Sequence, residues 1–270
     1  MEIQWSLVLF TALSGAGAWL VACAGLDAFR GLARKTVVPA VICGIALIIV
    51  GGIASATHLS HVDRIMAVLA HPAPGIFLEA LLLGIDVVVA AVFLVLYKRE
   101  ASAGALKVLG VVAVAMAAIF SYSCGSSYMM SSQLAWNTVA LPLGYLGGAM
   151  ASGTALWYVL CAVRREEAQA LSFAALETLV GSVAALVTAL IYGAASGVMG
   201  GDASVLFWLG VVICGGVAPL ACAVTGLKKT EGALPLAVVA AAGALIGSVA
   251  YRVLMWTASV ALMSLFGVGI

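Results

Sequence analysis

The stretch His58-Leu-Ser-His61-Val-Asp63-Arg64 places two imidazoles, a carboxylate and a guanidinium within seven residues. An imidazole titrates near neutrality, so it can accept a proton or hand one on at the pH of the cell. A guanidinium beside it can stabilise an oxygen that has lost its proton. The cluster therefore suits a polar headgroup that must give up protons; the alternative is a solvated loop with incidental charge. Glu79 and Asp86 are the next pair. Seven residues at ~100° each return to nearly the same helical face, about 10 Å further along the axis. Two carboxyl groups at successive depths suit a proton path or a polar ligand pocket, or else form a pair of hydrogen-bonded structural acids. Arg252, with Tyr251 and Trp256 nearby, either serves the same pocket or snorkels outward to the interface. Glu177 is expected to reach Arg164 or Arg165.

Other chemistry is excluded by residue type and spacing. The three histidines, His58, His61 and His71, all lie in one short segment. A haem held between helices wants axial histidines from separate helices, so no haem is expected. The six cysteines form no C-x-x-C pair, so neither an iron–sulfur cluster nor a structural zinc is expected, and no metal site. They read as small hydrophobes packed between helices. With a net charge of +1 and no basic patch interleaved with aromatics, nucleic acid is not a partner.

The elements that must position these residues are apolar. The chain is 65% hydrophobic and 9% charged, with a mean hydropathy of +1.23. A soluble domain carries about 25% charged residues, so lipid must cover this one. Eight runs are long enough to cross a bilayer: roughly 6–26, 37–57, 76–97, 107–123, 138–162, 172–192, 204–226 and 234–256. The expected fold is an all-α integral membrane protein, a single domain over 1–270 built as a bundle of eight transmembrane helices. The N-terminal stretch has no positively charged region before its apolar run, so it does not read as a cleaved signal peptide.

Charge orients the bundle. Arg30, Arg34, Lys35, Lys98, Arg99, Lys107, Arg164, Arg165, Lys228 and Lys229 all fall on one side, and only Arg64 and Arg252 on the other. The positive-inside rule makes the richer side cytoplasmic and puts both termini outside. Outside connections 58–75, 123–137 and 193–203 are longer, with Gly, Ser, Met and aromatics, a composition suited to binding and docking. Small residues such as Gly15, Gly17, Gly51, Gly52, Gly147 and Gly148 are expected to let helix backbones approach closely. The apolar tail 257–270 is too short for another crossing, and is expected to extend helix 8 or lie along the outer surface.

The segment Ser55-Ala-Thr-His58-Leu-Ser-His-Val-Asp-Arg64-Ile-Met, followed by Glu79-Ala-Leu-Leu-Leu-Gly84, resembles the membrane anchor subunit of the dimethyl-sulfoxide reductase (molybdopterin oxidoreductase) family. Its pattern is a histidine–leucine pair, an arginine six residues after the histidine and a glutamate early in helix 3. His58, Arg64 and Glu79 match those positions. The resemblance extends to the run into helix 1 and to Ala244-Leu-Ile-Gly247 of helix 8. There the family tends to place an arginine directly after the stretch, where this chain has Ser248; Arg252 follows one turn later, and Ala244 replaces an acid.

The resemblance implies anaerobic electron transport in the cytoplasmic (inner) membrane of a prokaryote. The anchor would bind menaquinol near the outer face and oxidise it. An iron–sulfur subunit would carry the electrons, and a molybdopterin catalytic subunit would reduce the terminal acceptor, both docked on the outer face. His58, Arg64 and Glu79 would be catalytic, with Asp86 and Arg252 completing the quinol site. The headgroup would enter between helices 2, 3 and 8. Three alternatives stay open: a small secondary transporter, for which no inverted repeat is visible; a related polysulfide- or nitrite-reductase-type quinone-reactive subunit; and a purely structural anchor.

Overall fold

A peptide group inside a bilayer has no water to bond with, so each crossing segment must satisfy its backbone internally as a helix. The computed structural model describes residues 2–57 and 74–258, and it is all-helical. Among the described residues, eight helices are long and apolar enough to span a membrane. They are α1 (Trp5–Asp27), α2 (Arg34–Ala56), α3 (Pro74–Lys98), α4 (Ala103–Ser126), α5 (Ala140–Val163), α6 (Ala168–Ser196), α7 (Leu206–Gly226) and α8 (Ala233–Thr257). Each expected crossing is present, with ends shifted by a few residues. The expectations placed on His58, His61, Asp63, Arg64 and His71, and on the tail from 259 onward, lie outside the described residues.

α1 and α5 form the centre of the bundle. α1 packs on α2, α4 and α5, while α5 also meets α6 and α8. α3 is peripheral and packs on α4 and α2; α7 sits against α6 and α8. Many interhelical contacts are made by glycine and alanine, which is what lets helices without a hydrophobic driving force gain dispersion contact. The α7–α8 crossing shows the limit of this. A Cβ at Gly215 would lie 2.6 Å from the Cα of Gly247, and one at Gly247 would overlap the backbone of Gly215. Neither neighbour is a side chain that can swing away. Gly247→Val is therefore expected to destabilise the bundle by about 3 kcal/mol or more, read as a loss of folded protein in the membrane and a lower unfolding temperature in detergent.

Two elements differ from simple hydropathy reading. α6 continues past 192 to Ser196 and stops at Gly197, whose φ of 75° is the left-handed conformation glycine adopts without strain. α7 is wound as a π-helix over Leu206–Val217 before it continues as an α-helix from Ala218. Pro219 has no N–H to donate back into that segment, and Gly215 and Gly216 admit Gly247 and Leu186 into close contact.

The turns and helix ends opposite the N-terminus carry ten of the twelve basic residues. Here the carboxylate of Asp27 accepts the N–H groups of Leu32 (3.2 Å) and Ala33 (3.1 Å), closing the α1–α2 turn. Glu177 does not pair with Arg164 or Arg165 as expected. It accepts a 2.7 Å bond from Arg30, whose guanidinium also lies 4.5 Å from the ring of Phe173. Arg164 instead donates to the carbonyl of Lys35 at 3.2 Å, and Thr36 donates to Glu166 at 2.8 Å. These contacts tie the α1–α2 turn to the α5–α6 turn.

Candidate functional site

At the N-terminal end of the bundle, the largest fully buried side chain among the described residues is a charged one, Arg252 (1% exposed). Bringing a guanidinium out of water costs several kcal/mol unless its donors are met. Four of its five N–H donors are. Nε donates to Thr11 Oγ1 at 2.7 Å, and Nη2 to the Thr11 carbonyl at 3.0 Å. Nη1 donates to the carbonyl (2.8 Å) and the hydroxyl (2.7 Å) of Ser248, one turn earlier on α8. The guanidinium lies 4.5 Å from the centre of the Tyr145 ring, so an aromatic face helps hold the desolvated charge. No carboxylate pairs with it among the described residues. One Nη2 proton has no acceptor there. Arg252 thus does not snorkel outward.

The walls are aromatic. Tyr145 meets Tyr251 at 5.9 Å and Tyr128 at 5.9 Å between ring centres. Trp136 crosses Trp256 at 5.1 Å, and Tyr128 packs edge-on against both. Tyr251 and Trp256 are buried in the bundle rather than spread along an interfacial belt. Trp136 comes from the connection between α4 and α5, and its indole N–H donates to the Met255 carbonyl at 2.9 Å. Burial pushes the Tyr128 phenol well above its ordinary pKa, so it stays protonated and able to donate.

Glu79 lies on the flank of this nest. It is half-buried, and its Oε1 accepts a 2.5 Å bond from the Ser127 hydroxyl at the end of α4. Asp86 faces the bundle on the same stripe of α3 as buried Leu82, Ala90 and Phe93. Its Oδ2 is buried without a hydrogen-bond partner among the described residues. The two acids do share a face, as the spacing requires. α3 packs on α4 and α2 and touches α1, which in turn meets α8, so the acids approach Arg252 across neighbouring helices. Tyr128 and Cys124, at the end of α4, lie within electrostatic reach of both Glu79 and Arg252.

Chemically, the nest offers a fixed cation with one donor unmet among the described residues, phenol hydroxyls and aromatic faces, with the Glu79 carboxyl on its flank. The family model of the DMSO reductase anchor subunit (DmsC) matches residues 1–199. The chain belongs to this family. It is a membrane anchor subunit of a DMSO reductase complex, which favours that reading over a carrier. A search of curated proteins gave no match. The family match ends within the α6–α7 connection, so the part of the site that the anchor subunit builds on α8 rests on geometry.

The sequence singled out Glu79, Asp86 and Arg252, and all three turn toward the bundle. It missed Thr11, Tyr145 and Ser127, and it counted Ser248 as a departure although that residue holds Arg252. The one available signal was the four-residue spacing of Ser248 and Arg252, which puts both on one helical face.

Proposed function

We propose that this anchor subunit binds menaquinol at its N-terminal end and oxidises it for a partner. The observation that carries the reading is the buried guanidinium of Arg252, which among the described residues meets no carboxylate and keeps one donor unused, walled by aromatic rings. A planar quinol headgroup needs flat apolar walls and a donor for the oxygen that becomes negative when a proton leaves. Positive-inside orientation supports an outer location for this end of the bundle, in the cytoplasmic membrane of a prokaryote.

In this mechanism His58 and Glu79 hydrogen-bond the hydroxyls of the quinol and take its two protons. Arg64 and Arg252 stabilise the singly deprotonated headgroup, and Asp86 tunes the pocket from below. Two electrons leave for an iron–sulfur subunit that serves a molybdopterin catalytic subunit, and the quinone departs. Both protons are released on the side from which the quinol gave them up. No net charge crosses the bilayer, so the step is not electrogenic.

The test is His58→Ala in the intact complex. Quinol-dependent turnover is expected to fall by about 100-fold or more, the range general base catalysis supplies, while the partner subunits stay membrane-bound. Wild-type turnover in that variant would falsify the assignment. A purely structural anchor would lose neither activity nor assembly.

A further inference from the structure

We infer that the connection between α4 and α5, residues 127–139, is the surface on which the electron-transfer subunit docks, and that Trp136 ties that surface to the Arg252 nest. This rests on the anchor reading and names the partner of the proposed site. The segment begins where the span of α4 closes at Ser126. It carries no charged residue. Its inner side is fixed: Ala135 and Trp136 are buried, Trp136 donates to the Met255 carbonyl, and Tyr128 packs on Trp136 and Trp256. Its outer side shows Met129, Met130, Leu134 and Val139 between 37% and 57% exposed.

Such a surface is unusual beyond the end of a membrane span. It lies between the α4 and α5 spans, where a water-facing loop of this length ordinarily carries charge. Methionine and aromatic side chains with few charges mark the centre of a protein interface. The opposite end of the bundle differs, with short turns and ten cations. The occupant follows from the position. Family membership gives this chain partner subunits, and the loop covers the nest from which electrons would have to leave. The partner resting on Met130 and Leu134 is therefore the one that receives electrons, not the one that reduces the terminal acceptor.

The experiment uses the whole complex in its own membrane. A photoreactive benzoylphenylalanine is placed at Met130, at Leu134 or, as a control, at Val163 at the basic end. Irradiation is expected to join the first two positions to a chain with clustered cysteine ligands for iron–sulfur centres, identified by mass spectrometry, and to leave the control unjoined to it. Joining only to the molybdopterin subunit, to residues 259–270 of this chain or to a second copy would overturn the docking surface. So would no protein adduct in a preparation whose subunits co-purify. A second measurement separates docking from quinol binding. M130D combined with L134D is expected to lower retention of the electron-transfer subunit at least ten-fold while binding of a menaquinol analogue to the anchor is unchanged. If the analogue never binds the native anchor, the quinol reading fails while the docking result stands.

Discussion

Arg252→Lys is expected to lower quinol-dependent turnover by roughly 10- to 100-fold, with the complex still assembled. The magnitude is that of one lost charge-assisted hydrogen bond, ~1.5–3 kcal/mol. Lysine keeps the positive charge but presents it as a point with three donors on a flexible stem. It cannot reach the carbonyl and hydroxyl of Thr11, both acceptors of Ser248 and an incoming oxygen at once. It also loses the planar contact with the Tyr145 ring. Two readouts separate the possible roles. If Arg252 serves only to join α1 to α8, the unfolding temperature drops and residual activity per folded complex stays at the native level. If it binds the headgroup, activity per folded complex falls and the Michaelis constant for a menaquinol analogue rises. Native activity with native stability would remove Arg252 from the site.

Glu79→Gln should cost still more in turnover number and little in affinity. Glutamine has the same shape and keeps an oxygen for the Ser127 hydroxyl, but it cannot take a proton. Losing a general base costs about 100- to 10,000-fold. The expected pattern is a fall of at least about 100-fold in kcat with KM within a few-fold of native. Ser127→Ala removes only the hydrogen bond that aims the carboxyl group, so a loss of about ten-fold or less is expected. An active Glu79→Gln variant would leave Glu79 as a packing acid and transfer proton acceptance to the histidine cluster.

The crossings were legible because each rests on a local property, about 20 consecutive apolar residues. The stop at Gly197 was legible in principle, since glycine favours the left-handed cap. The π-wound part of α7 was not, because hydropathy is blind to which carbonyl a given N–H selects. Pairings at long range were also hidden. Thr11 and Arg252 are 241 residues apart, and Arg30 and Glu177 are 147 apart. Nothing near Glu177 in the chain hinted that its cation sits beside α1 rather than beside α5. Tyr128, Trp136, Tyr145 and Trp256 likewise come from three separate segments, and only the packing of α5 on α8 gathers them.

The bond between Thr11 and Arg252 joins α1 to α8, the first and the last of the described crossings. An arginine at the centre of a helix opposes insertion into a bilayer by ~2.5–3.5 kcal/mol; Arg252, in the last turns of α8, opposes it by less, and α8 must still enter carrying it. By then α1 is already in place, with its carbonyl and hydroxyl ready to receive the guanidinium. The nest therefore closes only after α8 has entered the bilayer. A nascent chain that ends before α8 holds Thr11 and Tyr145 but lacks the guanidinium that joins them to Ser248.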